Sequence, residues 1–135
     1  MNATQKLARM ELLISLTAIL GALFVFPWLG DRAMGMFGVL GFLGLTPLFL
    51  MKRKGKVVTD ERDQNIQLRA QLLGFGAAWM SLVLTLVALT AFVNLDVANV
   101  PKSTLSFALW VSFALCYAVK GGATLFMYRP SNHAA

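Results

Sequence analysis

Two charged side chains interrupt otherwise apolar stretches, and their type and position make them the first candidates for chemistry in this sequence. Glu11 lies about one helical turn into the first expected membrane span, residues 7–29, and Lys120 lies in the last third of the fourth, residues 103–128. A charge at membrane depth is costly, which makes it a functional candidate. Both charges also fit structural roles, because an anion suits a helix N-terminus and a lysine can snorkel to the interface. We expect them to form an intramembrane charge pair that joins the first and fourth helices.

The sequence lacks the residue patterns that catalysis and metal binding require. It contains no HExxH, CxxC or G-x-S-x-G motif and no glycine-rich phosphate loop. Cys116 is its single cysteine and His133 its single histidine. The sequence therefore predicts no catalytic site, no metal site and no cofactor, which argues against an enzyme.

The composition predicts a protein whose solvent is largely lipid. Of the 135 residues, 58% are hydrophobic and 13% are charged, about half the charged share usual in globular domains. The stretches without Asp, Glu, Lys or Arg are residues 12–30, 33–51, 70–95 and 103–119. Each meets or approaches the roughly 20 helical residues that cross a hydrocarbon core of about 30 Å.

These stretches predict an all-α fold, because backbone polar groups in lipid must be hydrogen-bonded within their own segment. We expect a four-helix transmembrane bundle made of two antiparallel hairpins, in one integral membrane domain over residues 1–135. The expected spans are about 7–29, 33–51, 70–95 and 103–128, with a cytoplasmic loop over 52–69. The short Gly30-Asp31-Arg32 connection predicts a tight reversal between the first two helices.

Positive charges collect at one end of the predicted helices. Arg32 and Lys102 lie at the opposite end, and Lys120 lies within reach of the richer one. The cations at the richer end are Lys6, Arg9, Lys52, Arg53, Lys54, Lys56, Arg62, Arg69 and Arg129. This asymmetry predicts that both termini and the central loop are cytoplasmic. Membrane orientation therefore accounts for the net charge of +6. Nucleic-acid binding would need a soluble basic domain, and no polar segment is long enough to form one.

The cluster Lys52, Arg53, Lys54 and Lys56 opens the central loop. Such a cluster stops translocation and anchors the helix before it. It also predicts contacts with anionic lipid headgroups, to which each cation contributes about 1 kcal/mol.

The third apolar stretch has a charged N-terminal extension. Thr59 or Asp60 can cap a helix there, and the acids of its first turn suit the positive helix end. The 36 residues from Asp60 to Leu95 would form a helix of about 54 Å, so about 15–20 Å of it should project into the cytoplasm. The residues expected to bind a partner on this projection are Asp60, Glu61, Arg62, Asp63 and Arg69. A merely solvated helix start is the alternative.

The Asp60-Glu61-Arg62 triplet before the third of four spans also carries a resemblance. It resembles a family of small four-span bacterial predicted membrane proteins of unknown function, which have D-E-R at this place. The resemblance covers the general layout of the chain. It implies a bacterial inner (plasma) membrane as the location and implies no activity.

The second apolar stretch has a glycine at every third position. Gly35, Gly38, Gly41 and Gly44 would form a ridge on an α-helix that drifts about 60° per step. Small residues let membrane helices approach closely. Intramolecular packing is the first interpretation, and a docking surface for another subunit, formed by Gly35, Gly38 and Gly41, is the alternative.

The sequence favours a small non-catalytic integral membrane protein, an accessory or regulatory subunit that binds a larger membrane assembly or a second copy of itself. One alternative is a small dimeric proton-coupled transporter. The four-helix length resembles small multidrug exporters, which carry a carboxylate in the first span, but Glu11 lies close to the helix end for that role. Another alternative is an immunity-type protein that protects against a membrane-active toxin.

Overall fold

The computed structural model describes residues 3–45, 61–92 and 100–128, and all regular structure in these ranges is helical. Helix α1 covers Ala3–Leu29 and leads directly into a 3-10 helix over Gly30–Leu45. Helix α2 covers Glu61–Phe92 and helix α3 covers Lys102–Met127. The prediction of an all-α fold is confirmed.

Three helical stretches are long and apolar enough to cross a membrane. They are Thr4–Leu45, Glu61–Ala91 and Lys102–Met127. The predicted division into four spans is not reproduced, because α1 leads into the 3-10 helix without an intervening loop and Thr4–Leu45 forms one helical stretch of 42 residues. The later part of the second predicted span, residues 46–51, lies outside the described residues.

The chain reverses direction at Gly30, within this first stretch. Gly30 has a φ of 53°, in the left-handed region that glycine adopts without steric cost. The 3-10 helix then packs back along α1, so closely that a Cβ added at Gly21 would lie 2.6 Å from the Met36 side chain. Ala18 and Ala22 of α1 are almost fully buried in a cluster with Phe37 and Leu40 of the 3-10 helix.

The second segment is a 3-10 helix, so the expectation of an α-helical glycine ridge is wrong. With three residues per turn, residues at i and i+3 eclipse each other, which places Gly35, Gly38 and Gly41 in one straight stripe. Phe37 and Leu40 form a second row, and that row faces the core. Glycine suits this geometry because it has no side chain to be eclipsed.

Helix α3 lies at the centre of the packing. It contacts α1 on one side and α2 on the other, and the 3-10 helix packs mainly on α1. The arrangement among the described residues is therefore closer to a row than to the expected closed bundle. Gly121 of α3 approaches Ala8 near the start of α1, and Phe107 of α3 lies against Phe26 near the end of α1. These contacts make α1 and α3 antiparallel.

Helices α2 and α3 are also antiparallel, and polar and small residues line their contact. A Cβ added at Gly74 would lie 2.5 Å from the backbone oxygen of Cys116. Further along, the Ser81 hydroxyl donates a 2.8 Å hydrogen bond to Ser112 Oγ. The close approach at Gly74 brings the first half of α2 to the same level as Lys120.

Candidate functional site

An ion pair joins α1 to α3 near one end of the helices. Lys120 Nζ lies 2.8 Å from Glu11 Oε1, and the Glu11 side chain is only 7% exposed, against 26% for Lys120. Gly121, next to Lys120, allows this proximity, because an added Cβ would lie 2.7 Å from the backbone oxygen of Ala8. The structure thus brings together the two charges that interrupt the apolar stretches.

Neighbouring hydroxyls bond to the backbone of both charged residues, and an aromatic ring contacts the lysine side chain. The Ser15 hydroxyl donates to the backbone oxygen of Glu11 at 2.7 Å, one turn along α1. The Thr124 hydroxyl donates to the backbone oxygen of Lys120 at 2.8 Å. Lys120 Nζ also lies 5.5 Å from the centroid of the Tyr117 ring, within cation–π range. The ammonium is therefore held between a carboxylate and an aromatic face.

A small cavity with both polar and apolar lining residues borders the ion pair. Its volume is about 90 Å³, and both Glu11 and Lys120 line it. Gln67 and Gln71 of α2 supply amide groups, so three helices contribute to its wall. The other lining residues are Thr4, Leu7, Ala8 and Thr124. Because several polar side chains line the cavity and its volume exceeds the space that one water needs, about 10–15 Å³, it is suited to hold water beside the charges.

A second polar link lies beyond the ion pair, between the start of α2 and the end of α3. The phenolic hydroxyl of Tyr128 donates a hydrogen bond to Asp63 Oδ1. Burial raises the pKa of Tyr128 above its ordinary value of 10.0, and the hydrogen bond to the Asp63 carboxylate raises it further, whereas a bond to Thr4 lowers it. The structure therefore gives Asp63 a contact within the chain, where the sequence had predicted a contact with a partner.

The other charged residues of the α2 extension lie around an open groove. Glu61, Arg62 and Arg69 line it, and its volume is about 610 Å³. Asn65, Ile66 and Met127 complete the lining. Asp60 and the predicted lipid-binding residues Lys52, Arg53, Lys54 and Lys56 lie outside the described residues.

The glycine stripe of the 3-10 helix faces away from the other described helices. Gly35, Gly38 and Gly41 are exposed, and a Cβ added at any of them would meet no atom within 4 Å. The first interpretation, intramolecular packing through these glycines, is therefore wrong for the described residues. Among the glycines that the structure describes, those that mediate close packing are Gly21, Gly74 and Gly121.

Sequence reasoning missed several residues of the site. Gln67 and Gln71 are four residues apart on α2, a spacing that places two amides on one helix side. Gly121 directly follows Lys120, a signal of close helix approach beside the charge. Tyr128 gave no signal, because its bond to Asp63 joins residues 65 positions apart.

The groups that meet at the site allow ion pairing and the binding of water. Within residues 3–45, 61–92 and 100–128, no three His, Cys, Asp or Glu side chains are grouped closely enough to hold a metal ion. A carboxylate, an ammonium and two amides can bind water, exchange protons or contact a polar ligand.

Comparisons with known proteins place the chain in a family. Neither the curated proteins nor the solved structures contain a significant match. One family model, described as predicted membrane protein (DUF2178), matches residues 6–129. This match covers nearly the whole chain and agrees with its long apolar helices. The chain therefore belongs to the DUF2178 family of predicted membrane proteins.

Proposed function

We propose that this protein is a non-catalytic accessory or regulatory subunit that binds a larger assembly in the bacterial inner membrane. The observation that carries the proposal is an exposed apolar face of α2 that begins at Leu68 on the charged extension and continues through Leu72 and Phe75 in the apolar stretch. Leu68 is 60% exposed and Leu72 is 72% exposed. Leu68 precedes Arg69, so it lies before the charge-free part of the helix, where lipid tails would not cover it. A contiguous exposed apolar face is typical of a docking site for another protein, and Leu68 brings this face beyond the lipid tails.

The membrane-spanning part of α2 supports the same proposal. In the most apolar 18-residue segment of α2, only 6% is buried inside the structure, against 28% for the corresponding segment of α3. Large side chains such as Phe75 and Trp79 are more than half exposed on it. Lipid can cover these groups, but the surface runs continuously from Leu68 into the membrane. A partner helix that docked on the extension could follow it into the bilayer.

The topology belongs to this proposal as well, with four crossings and both termini in the cytoplasm. A 3-10 helix rises about 2.0 Å per residue, so the 16 residues of Gly30–Leu45 span about 32 Å. That length matches a hydrocarbon core of about 30 Å. Arg32 and Lys102 then lie at one end of the helices and Arg62 and Arg69 at the other, and the end with more cations faces the cytoplasm.

Site-specific photo-cross-linking in intact membranes tests the docking surface. A photoreactive residue at Leu68 or Leu72 should form a discrete protein adduct. The matched control is Leu20 of α1, which is 62% exposed but lies within the apolar part of its helix. An accessory role would be contradicted by protein adducts of equal yield at Leu20. It would also be contradicted if none of the three positions formed a protein adduct.

Proton-coupled transport is a second candidate, favoured by the cavity beside Glu11. Its weakness is that Glu11 is already neutralised by Lys120 at 2.8 Å. Proton-driven uptake of a cationic solute into liposomes, abolished by Glu11→Gln, would favour transport. If Glu11→Gln leaves all uptake unchanged, the carboxylate is structural. An immunity-type role would be distinguished by the identity of the protein cross-linked at Leu68.

A further inference from the structure

We propose that the groove between the start of α2 and the end of α3 binds the phosphodiester group of an anionic phospholipid. This inference goes beyond the accessory role and does not depend on it. The groove is lined by Glu61, Arg62, Asn65, Ile66, Arg69 and Met127, with a volume of about 610 Å³. That space is large enough for a lipid headgroup.

The polar wall of the groove has the donors that a phosphate requires. Arg62, Asn65 and Arg69 follow each other at spacings of three and four residues, so they lie on one side of α2. They extend over about 10 Å of helix. A guanidinium donates two parallel hydrogen bonds to phosphate oxygens, and the Asn65 amide adds a neutral donor. Two arginines at this separation can hold one phosphate from two directions.

The floor of the groove is apolar, which suits a lipid better than a free ion. Ile66 is buried and Met127 is half-buried. The Asp63–Tyr128 hydrogen bond fixes the end of α3 against α2 and so keeps Met127 at the groove. The glycerol backbone and first methylenes of a lipid can lie on this floor while the phosphate meets the arginines.

The depth of the groove is that of lipid phosphates. Arg69 immediately precedes the charge-free stretch over residues 70–95. The groove therefore lies where hydrocarbon gives way to headgroups, and basic pockets at this depth are suited to anionic headgroups.

The charges in the groove indicate a singly charged phosphate. Within the described ranges, no carboxylate lies within ion-pair distance of Arg62 or Arg69. Asp63 is engaged by Tyr128. Glu61 lines the groove with the two arginines and leaves it a net charge of +1. A phosphodiester with a charge of about −1 balances the groove, whereas a phosphomonoester with about −2 meets repulsion from Glu61.

Native mass spectrometry of the full chain, released from nanodiscs of phosphatidylglycerol mixed with phosphatidylcholine, tests the proposal. The wild type should retain phosphatidylglycerol. The double variant Arg62→Gln/Arg69→Gln should retain at most about one-tenth of the wild-type amount. The control Arg32→Gln/Lys102→Gln removes the same charge at the other end and should retain the wild-type amount. Equal losses in both double variants would show a general charge effect and overturn the proposal.

Two further arms separate a built lipid site from a general attraction of charge and from a site for free phosphate. Arg62→Lys/Arg69→Lys keeps the charge but loses the bidentate geometry, so it should retain an intermediate amount. We expect the variants to unfold thermally like the wild type, because both arginines are exposed. Unchanged thermal unfolding would exclude loss of fold as the cause of weaker lipid retention. Excess glycerol phosphate should displace the lipid poorly. Displacement of the lipid by excess glycerol phosphate would show a site for phosphate alone and would refute the lipid assignment.

Discussion

Removing Lys120 alone should destabilise the protein at least as much as removing both charges of the Glu11–Lys120 pair. Lys120→Met leaves the Glu11 carboxylate 7% exposed and without its ammonium. Breaking a fully buried pair costs about 3–5 kcal/mol. Lys120 is 26% exposed and a cavity of about 90 Å³ borders the site, so water offsets part of this cost. We expect a loss of about 2–3 kcal/mol for Lys120→Met.

The Glu11 variant and the double variant complete the double-mutant cycle, which separates the coupling between the two charges from the cost of burying either charge alone. Glu11→Gln leaves a lysine that can reach the interface, so its cost should be smaller, about 1 kcal/mol. The double variant Glu11→Gln/Lys120→Met removes both charges and should recover about 1–2 kcal/mol relative to the sum of the single variants. Reversible unfolding in mixed micelles of mild detergent and dodecyl sulfate measures these free energies.

A matched control cycle uses charges that make no contact. Glu61→Gln combined with Arg32→Gln changes an exposed acid and an exposed base at opposite ends of the helices. These two should be additive within about 0.5 kcal/mol. If the Glu11 and Lys120 variants are additive to the same precision, the pair contributes no coupling and the reasoning is refuted.

Three other perturbations test the packing and the polar links. Gly74→Ala should cost about 1–3 kcal/mol, because its Cβ would lie 2.5 Å from a backbone oxygen of α3, whereas Gly76→Ala meets open space and should be neutral or stabilising in the same unfolding assay. Gly38→Ala should raise stability by up to about 1 kcal/mol, since its Cβ also meets nothing, and a clear loss would show that the glycine stripe is covered in the membrane. The pKa of Tyr128 is raised above 10.0 in the folded protein. The phenol's contribution to the free energy of unfolding is therefore complete below pH 10.0 and is lost as the pH rises through the folded-state pKa. The unfolding free energy of the wild type should therefore fall more steeply above that pH than that of Tyr128→Phe, and parallel curves would show that the bond to Asp63 carries no linkage.

Local chemistry made the helical, membrane-embedded character predictable from the residues alone. Apolar stretches without charges must satisfy their backbone hydrogen bonds within each segment, so a long stretch in lipid becomes a helix whatever its neighbours are. Capping residues and a short polar connection located the start of α2 near Glu61 and the reversal near Gly30. Glu11 and Lys120 stood out because each breaks an apolar stretch.

Helix pairing and the identity of the polar neighbours required the folded molecule. Which small residues permit close approach depends on the shape of the facing helix, so Gly74 and Gly121 mediate packing while Gly38, of the same residue type, does not. The three-residue glycine period fits both an α-helical ridge and a 3-10 stripe, and the packing of every third side chain against α1 selected the second. Asp63 and Tyr128 meet because α2 and α3 are antiparallel neighbours, a relation between distant residues that no local pattern encodes.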